Sequence, residues 1–317
     1  MNAKKKIRLP LLALTLFSLL MPYKSTAAQP GQQPIRSHAS QPLQKLLDQR
    51  IKSLHLTQAV RQKHLAVVLV DMTEPLTPQL AQINGDEMMY AASLPKIAIL
   101  LAAFERIQQG RLTLNDETRS MMTRMIRFSS NRDATAMIHL VGPEYINQLM
   151  QSDKYRLYDR QYNGGLWVGK EYADSEPFER DPLHNISHGA TAIQVARFYY
   201  MLQTGKLVSP HYSTEMKRIM SKPGINHKFV MGLQAMEHPE INMFRKSGSW
   251  RDWHADSALI EHDGHRYIAV ALAHDPNGGK WLKNIIHEMD QLIVHSAAPA
   301  ADLARLATPM PSSPRQL

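Results

Sequence analysis

Residues 90–105 read YAASLPKIAILLAAFE, a helix-favouring apolar run that opens with one serine and carries a lysine three residues later. In a first interpretation, Ser93 caps a buried helix and Lys96 extends its amine to solvent. In a second, Ser93 is a nucleophile and Lys96 is its base. Positions i and i+3 of a helix share one face, so the spacing allows the two side chains to meet.

The second interpretation agrees with the apolar surroundings of Lys96. Serine is a poor nucleophile at neutral pH and needs a base within hydrogen-bond reach. Burial disfavours the ammonium form, so a lysine inside an apolar segment becomes a proton acceptor. Ser93 also lies where the free N–H groups of a helix N-terminus favour negative charge. No other Ser-x-x-Lys tetrad occurs in the chain.

Two further polar clusters fit the same chemistry. In RFSSNRDA (127–134), Ser129 can relay a proton to a leaving group and Asn131 can hold a substrate amide, although such residues also simply cap helices. In RKSGSW (245–250), Lys246 adds positive charge and Gly248 lets a ligand approach a strand, while an edge strand with a protective lysine is the plain alternative. The N–H groups of Ser93 and Ser249 are candidates for an oxyanion hole.

The order of predicted elements sets the fold class. HLAVVLVDM (64–72) reads as a buried strand, and a weaker strand over 79–85 pairs with it as a hairpin. Helices fill the middle of the chain, and strands return after residue 242, with a hairpin at Asp263-Gly264 and a closing helix over 280–295. We therefore predict an α+β fold with two lobes. An antiparallel sheet of N- and C-terminal strands is flanked by helices, an all-helical lobe sits beside it, and the site lies between them.

Together the three clusters resemble the set Ser-x-x-Lys, Ser-x-Asn and Lys-Ser/Thr-Gly of the penicillin-recognising serine acyltransferases, and the chain resembles class A β-lactamases most. The resemblance covers residues 43–295. It implies an acyl-enzyme on Ser93, proton transfer through Lys96, Ser129 and Lys246, and no cofactor or metal. It also implies substrate binding by the polar groups Asn131, Ser247, Gly248 and Ser249.

Two departures from that family affect function. The segment between Ser93 and Ser129 is short, so part of the helical lobe should be missing. The family's Glu-x-x-Leu-Asn segment, whose glutamate activates the deacylating water, corresponds here to RDPLHN (180–185) in an expanded loop. Asp181 takes the place of the acid with a shorter side chain, and Glu179 is a second candidate. A solvated loop acid is the plain alternative for both.

Composition limits the remaining possibilities. The chain has 317 residues, 44% of them hydrophobic, and no cysteine, which excludes disulfides, thiolate metal sites and a cysteine nucleophile. Residues 1–28 have a basic start, a short apolar core and small residues at the end, as in a signal peptide. They carry five Lys or Arg and no acid, so without them the net charge falls from +9 to +4, which weakens a nucleic-acid role.

We therefore expect a linker over 29–42, a catalytic domain over 43–295 and a disordered tail over 296–317. The expected protein is a periplasmic or secreted monomer with no stable membrane insertion. The leading functional hypothesis is hydrolysis of β-lactam amides. One alternative is a carboxypeptidase or amidase acting on D-Ala peptides of the cell wall. The other is a protein that binds β-lactams covalently without turnover, as a sensor or sponge.

Overall fold

The β-branched run near residue 65 forms the second strand of a five-stranded antiparallel sheet. The computed structural model describes residues 35–235 and 240–296. The sheet has the order β2-β1-β10-β9-β8. Its strands are β1 (Leu65–Asp71), β2 (Gln79–Ile83), β8 (Asn242–Trp250), β9 (Trp253–His262) and β10 (His265–His274). Strands from both ends of the sequence meet where Val68 pairs with Val270, which confirms the predicted sheet.

The hairpin between β9 and β10 turns at the predicted residues. Asp263 and Gly264 adopt φ angles of +50° and +76°, and His262 pairs with His265 across the turn. Two consecutive residues with positive φ are the requirement of the tight turn that matches the twist of a hairpin. The Asp-Gly pair therefore fixes the register of these two strands.

Each face of the sheet has its own apolar core, because side chains alternate along a strand. Leu65, Val67 and Leu69 of β1 pack in the core that includes the first and last helices, whereas Val68 and Val70 pack toward the helical lobe. The helices on the first side are α1 (Gln41–Ser53), α2 (Thr57–Arg61), α9 (Phe229–Gln234) and α10 (Gly278–Ser296). The sheet is thus buried on both faces and serves as a rigid support.

The second lobe is helical and surrounds α3, whose first ten residues are all buried. Its helices are α3 (Lys96–Gln108), α4 (Asp116–Arg127), α5 (Asn131–Val141), α6 (Pro143–Gln151), α7 (Ala192–Gln203) and α8 (Pro210–Met220). The junction between α4 and α5 carries Ser129 at φ +58°, and Ser130 caps α5 by accepting a hydrogen bond from the Asp133 N–H. The two-lobed α+β prediction is confirmed.

The stretch 153–190 contains short strands and a 3₁₀ turn at Arg160–Tyr162. These strands are β4 (Tyr158–Asp159), β5 (Gly164–Gly165), β6 (Trp167–Val168) and β7 (His188–Thr191), and β7 also pairs with β3 (Met88–Tyr90). Pairs of two to four residues give little periodic signal in a sequence. They nevertheless anchor both ends of a loop over 169–187 beside the segment that leads to Ser93.

The predicted linker over 29–42 is wrong for the part that the structure describes. Residues Ile35–His38 form a 3₁₀ helix, Ile35 is buried, and Arg36 forms an ion pair with Asp86. Ser40 then caps α1, so the folded unit includes residues from 35 onward. The predicted signal peptide over 1–28 and the tail beyond 296 lie outside the described residues. Among the helices of the described chain, none is long and apolar enough to cross a bilayer.

Candidate active site

Ser93 lies in a tight turn just before α3, rather than within the helix. The helix begins at Lys96, and the Ser93 carbonyl accepts the Lys96 N–H at 3.3 Å. The preceding residue, Ala92, adopts φ +50°, a left-handed conformation that is uncommon without glycine. The strained turn holds Ser93 half-buried at the border between the sheet and the helical lobe.

Gly248 brings the edge strand β8 into contact with this turn. A Cβ atom at position 248 would lie 2.2 Å from the Ala91 carbonyl oxygen and 2.9 Å from the Ser93 nitrogen. Only glycine therefore allows the strand to pass so close to the Ser93 backbone. The N–H group of Ser93 and the Gly248–Ser249 peptide consequently belong to one small region, as the sequence predicted.

Lys96 is completely buried and reaches toward the junction between α4 and α5. Its Nζ donates to the carbonyl oxygen of Ser129 and to Oδ1 of Asn131, each at 2.7 Å, and lies 3.4 Å from the Ser129 hydroxyl. Burial lowers the Lys96 pKa from its ordinary value to about 7. Among the described contacts, Lys96 Nζ has no hydrogen bond to Ser93 Oγ, although the two residues are one turn apart.

Lys246 enters the same junction from the sheet. Its Nζ donates to the Ser129 hydroxyl at 3.0 Å and to the carbonyl oxygen of Ser247 at 2.6 Å. Burial, with the charge of Lys96 as a further cause, lowers the Lys246 pKa well below its usual range. The hydroxyl of Ser129 thus lies between two buried amines, which is the arrangement that a proton relay requires.

The other predicted binding residues surround these amines at the open side of the site. Asn131 is exposed at the start of α5, and Ser249 is exposed near the end of β8. The Ser247 hydroxyl lies 3.1 Å from Nε2 of His227. Burial and the neighbouring cation Lys228 lower the His227 pKa to about 4, so its imidazole is neutral at pH 7.

Asp181 and Glu179, the two candidates for the deacylating acid, are engaged elsewhere. Buried Asp181 accepts hydrogen bonds from the Tyr158 hydroxyl and, at 2.5 Å, from the His184 N–H, so it ties its own loop together. The Glu179 carboxylate accepts from the Asn147 side chain at 2.9 Å. Within residues 35–235 and 240–296, no carboxylate is hydrogen-bonded to Ser93, Lys96 or Ser129.

Tyr172 lies over Lys96 and was not predicted from the sequence. The centre of its ring is 4.3 Å from Lys96 Nζ, and its hydroxyl donates to the Ala92 carbonyl oxygen at 3.2 Å. The Tyr172 ring also stacks on buried His188, with centroids 4.3 Å apart. Burial lowers the His188 pKa to about 3. Nothing in the local sequence KEYADSE distinguishes this tyrosine from a surface residue.

The two tryptophans after the Lys246-Ser247-Gly248 segment, Trp250 and Trp253, have different surroundings. Trp253 stacks on His274 with a centroid distance of 3.7 Å and meets Tyr90 edge-on at 6.1 Å. Trp250 is exposed, with the Arg251 guanidinium 5.7 Å from its ring. Trp253 therefore caps the sheet, and Trp250 is free to contact a ligand.

A second cluster of charged residues supports β8 beside Gly248 and Ser249. Arg245 and Asp256 form a buried two-pronged ion pair, with N–O distances of 2.7 and 2.6 Å. Lys228, 3% exposed, donates to the carbonyl oxygens of Gly248 and Ala255 and to the Ser249 hydroxyl. Burial lowers the Lys228 pKa to about 8. This lysine was not predicted from the sequence because its loop has no recognisable motif.

Comparison with known proteins gives one family and one fold. A profile of the β-lactamase enzyme family matches residues 46–120 and 117–296. PBP-A, at 18% identity, has a TM-score of 0.57 over 75% of this chain and 95% of its own. A PBP-A mutant solved as an acyl-enzyme with penicillin G has 18% identity and a TM-score of 0.59, over 78% of this chain and 96% of its own. A β-lactamase from Sphaerobacter thermophilus has 16% identity and a TM-score of 0.60, over 81% of this chain and 99% of its own. No curated protein sequence matches the chain.

Proposed function

Because the chain belongs to the β-lactamase enzyme family, we propose that it is a serine hydrolase whose Ser93 hydroxyl is acylated by β-lactam amides. The observation that carries this proposal is the convergence of Lys96 Nζ and Lys246 Nζ on the Ser129 hydroxyl. Two buried amines around one hydroxyl, beside a strained turn that presents Ser93, form a proton-transfer system rather than a helix cap.

Acylation follows from these positions. Substrate binding brings Ser93 Oγ within reach of neutral Lys96, which accepts its proton as the oxygen attacks the amide carbonyl carbon. The N–H groups of Ser93 and Ser249 hold the resulting oxyanion. Ser129 gives its proton to the leaving nitrogen and regains one from protonated Lys96, so the C–N bond breaks and an ester on Ser93 remains.

The open side of the site selects the substrate. Lys246 Nζ donates to the Ser247 carbonyl oxygen, so this amine and Ser247 lie together and suit the carboxylate that β-lactams carry beside the ring nitrogen. Asn131 is available to the amide of the acyl side chain. Water then hydrolyses the ester, with Lys96 as the base that remains next to Ser93. We also propose export, with residues 1–28 as the signal peptide.

The engagement of Asp181 and Glu179 favours a second candidate, a slow enzyme in which the acyl-enzyme persists. With both carboxylates hydrogen-bonded to other groups, the water that attacks the ester would rely on Lys96 alone as its base. A protein of this kind would react with β-lactams once and turn over slowly, and would act on D-Ala peptides of the cell wall or serve as a sensor.

One experiment separates the two candidates. Purified protein is mixed with a fluorescent penicillin and with a chromogenic cephalosporin, and intact mass is followed over time. Rapid colour without lasting label supports the β-lactamase, whereas lasting label with slow colour supports the persistent acyl-enzyme. Ser93→Ala should lose both signals, Ser129→Ala should acylate at least 100-fold more slowly, and Ser130→Ala is the matched control. Label retained by Ser93→Ala would refute the proposal.

A further inference from the structure

Lys228 is a buried lysine that the reaction scheme does not use, although it contacts the peptide that carries a proposed oxyanion donor. Its Nζ donates to the Gly248 carbonyl oxygen at 2.5 Å, to the Ser249 hydroxyl at 2.8 Å and to the Ala255 carbonyl oxygen at 3.1 Å. These partners are neutral, so the ammonium charge is directed at the backbone of β8 and β9 rather than at a carboxylate.

The Gly248–Ser249 peptide connects Lys228 with the reaction centre. In a trans peptide the carbonyl oxygen and the N–H point in opposite directions. The Gly248 oxygen faces Lys228 and Ala255, on the side of β9. The Ser249 N–H therefore points away from β9, toward the edge that passes the Ser93 turn, which touches Gly248.

A cation at the oxygen of a peptide draws electron density from its nitrogen and makes the N–H a stronger donor, as in other hydrogen-bond chains. The effect is large where water is excluded, and Lys228 is buried. The Asp256 carboxylate does not cancel the charge, because both of its oxygens bind Arg245. The group Arg245, Asp256 and Lys228 thus carries one net positive charge.

We propose that Lys228 is a positioning residue for the oxyanion site, whose ammonium polarises the Gly248–Ser249 peptide toward the tetrahedral intermediate on Ser93. This inference rests on the proposed acylation of Ser93. It adds protonated Lys228 as a requirement for full reactivity.

The backbone around Lys228 is built to hold this geometry. Lys228 adopts φ +49°, and the next N–H, that of Phe229, donates to Asp256 Oδ2 at 3.1 Å. Arg245 donates to the carbonyl oxygen of His227 on the same loop. The ion pair on β8 and β9 therefore fixes the loop that presents the lysine.

The charges that face Lys228 determine how its protonation responds to pH. Asp256 on β9 raises its pKa, and Arg245 on β8 lowers it, while burial is the largest influence and also lowers it. Lys246 on β8, His254 on β9 and His227 on the same loop also face Lys228. The charge of Lys228 lowers the pKa of each of these three groups. The balance places the titration of Lys228 near pH 8.

The test compares Lys228→Met with Lys217→Met, a lysine on α8 that binds Gln203 and Glu261 away from Ser93. We expect Lys228→Met to lower the rate of Ser93 acylation by a β-lactam, and the affinity for phenylboronic acid as a tetrahedral adduct, about tenfold at pH 7. Lys217→Met should stay within twofold of wild type. Equal rates in the two variants would overturn the inference.

A second measurement is independent of any substrate. In protein labelled with 15N-serine, the amide resonance of Ser249, assigned by Ser249→Ala, should shift with a midpoint near pH 8 and lose this transition in Lys228→Met. If the chemical shift of the wild-type Ser249 amide does not change with pH in this range, the inference is overturned, even if Lys228→Met fails to fold. A wild type that forms no adduct on Ser93 refutes the proposed function instead, while the resonance still decides whether Lys228 polarises the peptide.

Discussion

Replacement of Lys96 by methionine should stabilise the protein, by an amount that depends on pH. Lys96 is fully buried, and burial has lowered the pKa of its amine from 10.5 to about 7. Protonation of Nζ therefore destabilises the folded state. Methionine has a similar length and no charge, so it removes this cost. It leaves Asn131 Oδ1 and the Ser129 carbonyl without a donor, which is a loss independent of pH.

The pH dependence follows from proton linkage. Between pH 7 and 10.5 the unfolded chain binds a proton at Lys96 that the folded chain does not, so the stability of the wild type rises with pH. The full penalty well below pH 7 is about 5 kcal/mol, from about 1.4 kcal/mol for each pKa unit. Between pH 6 and pH 9 the wild type should gain about 2.5 kcal/mol relative to Lys96→Met. Lys246 adds to this difference. In Lys96→Met the Lys246 pKa is lowered less, because the Lys96 charge is gone, so the stability of the variant rises less with pH than that of the wild type.

Urea denaturation of wild type, Lys96→Met and Lys217→Met at pH 6 and pH 9 measures this change. The free-energy difference between wild type and Lys96→Met should move by about 2.5 kcal/mol in favour of wild type at the higher pH. The Lys217→Met variant controls for loss of a lysine side chain. A difference for Lys96→Met that is the same at both pH values would show that Lys96 is charged at neutral pH and is not the base.

Three further variants test other parts of the site. Gly248→Ala should reduce acylation at least 100-fold while the protein stays folded, because the new methyl group displaces the strand from the Ser93 nitrogen; near-normal labelling with penicillin would contradict the close approach. Asp181→Asn should lower the melting temperature by several degrees, because a charged acceptor for Tyr158 is lost, and should leave deacylation unchanged; slower deacylation would restore this acid to the mechanism. His227→Ala should raise KM for substrates with a carboxylate more than it changes kcat, and equal effects on methyl-ester analogues would refute a role in carboxylate binding.

The candidate site was largely predictable because each of its parts uses a short, chemically restricted motif. Lys96 and Lys246 meet at the Ser129 hydroxyl and Gly248 approaches the Ser93 backbone, since a serine before a helix, a serine at a helix junction and a glycine in an edge strand have distinct local signals. The fold class was predictable for a similar reason. A β-branched run near each end of the chain has few partners other than the opposite run.

The supporting residues were not predictable, because their role depends on contacts across long distances in sequence. Tyr172 reaches Lys96 only because short strands anchor the loop on both sides. Lys228 reaches Gly248 because its own backbone is left-handed, and no sequence motif predicts that conformation. The prediction for Asp181 relied on its place in a sequence pattern, and the Tyr158 hydroxyl, 23 residues away, decides where its carboxylate points.

The order of strands in the main sheet has a consequence for how the protein is made. Strand β1 lies between β2, its neighbour in sequence, and β10, which ends at His274. While the chain emerges from a ribosome or a translocation channel, β1 exposes an unpaired edge until β10 follows, some two hundred residues later. The sheet therefore cannot fold until almost the whole polypeptide has been made. A chaperone that binds the Leu65–Asp71 segment until then would protect the nascent chain from aggregation.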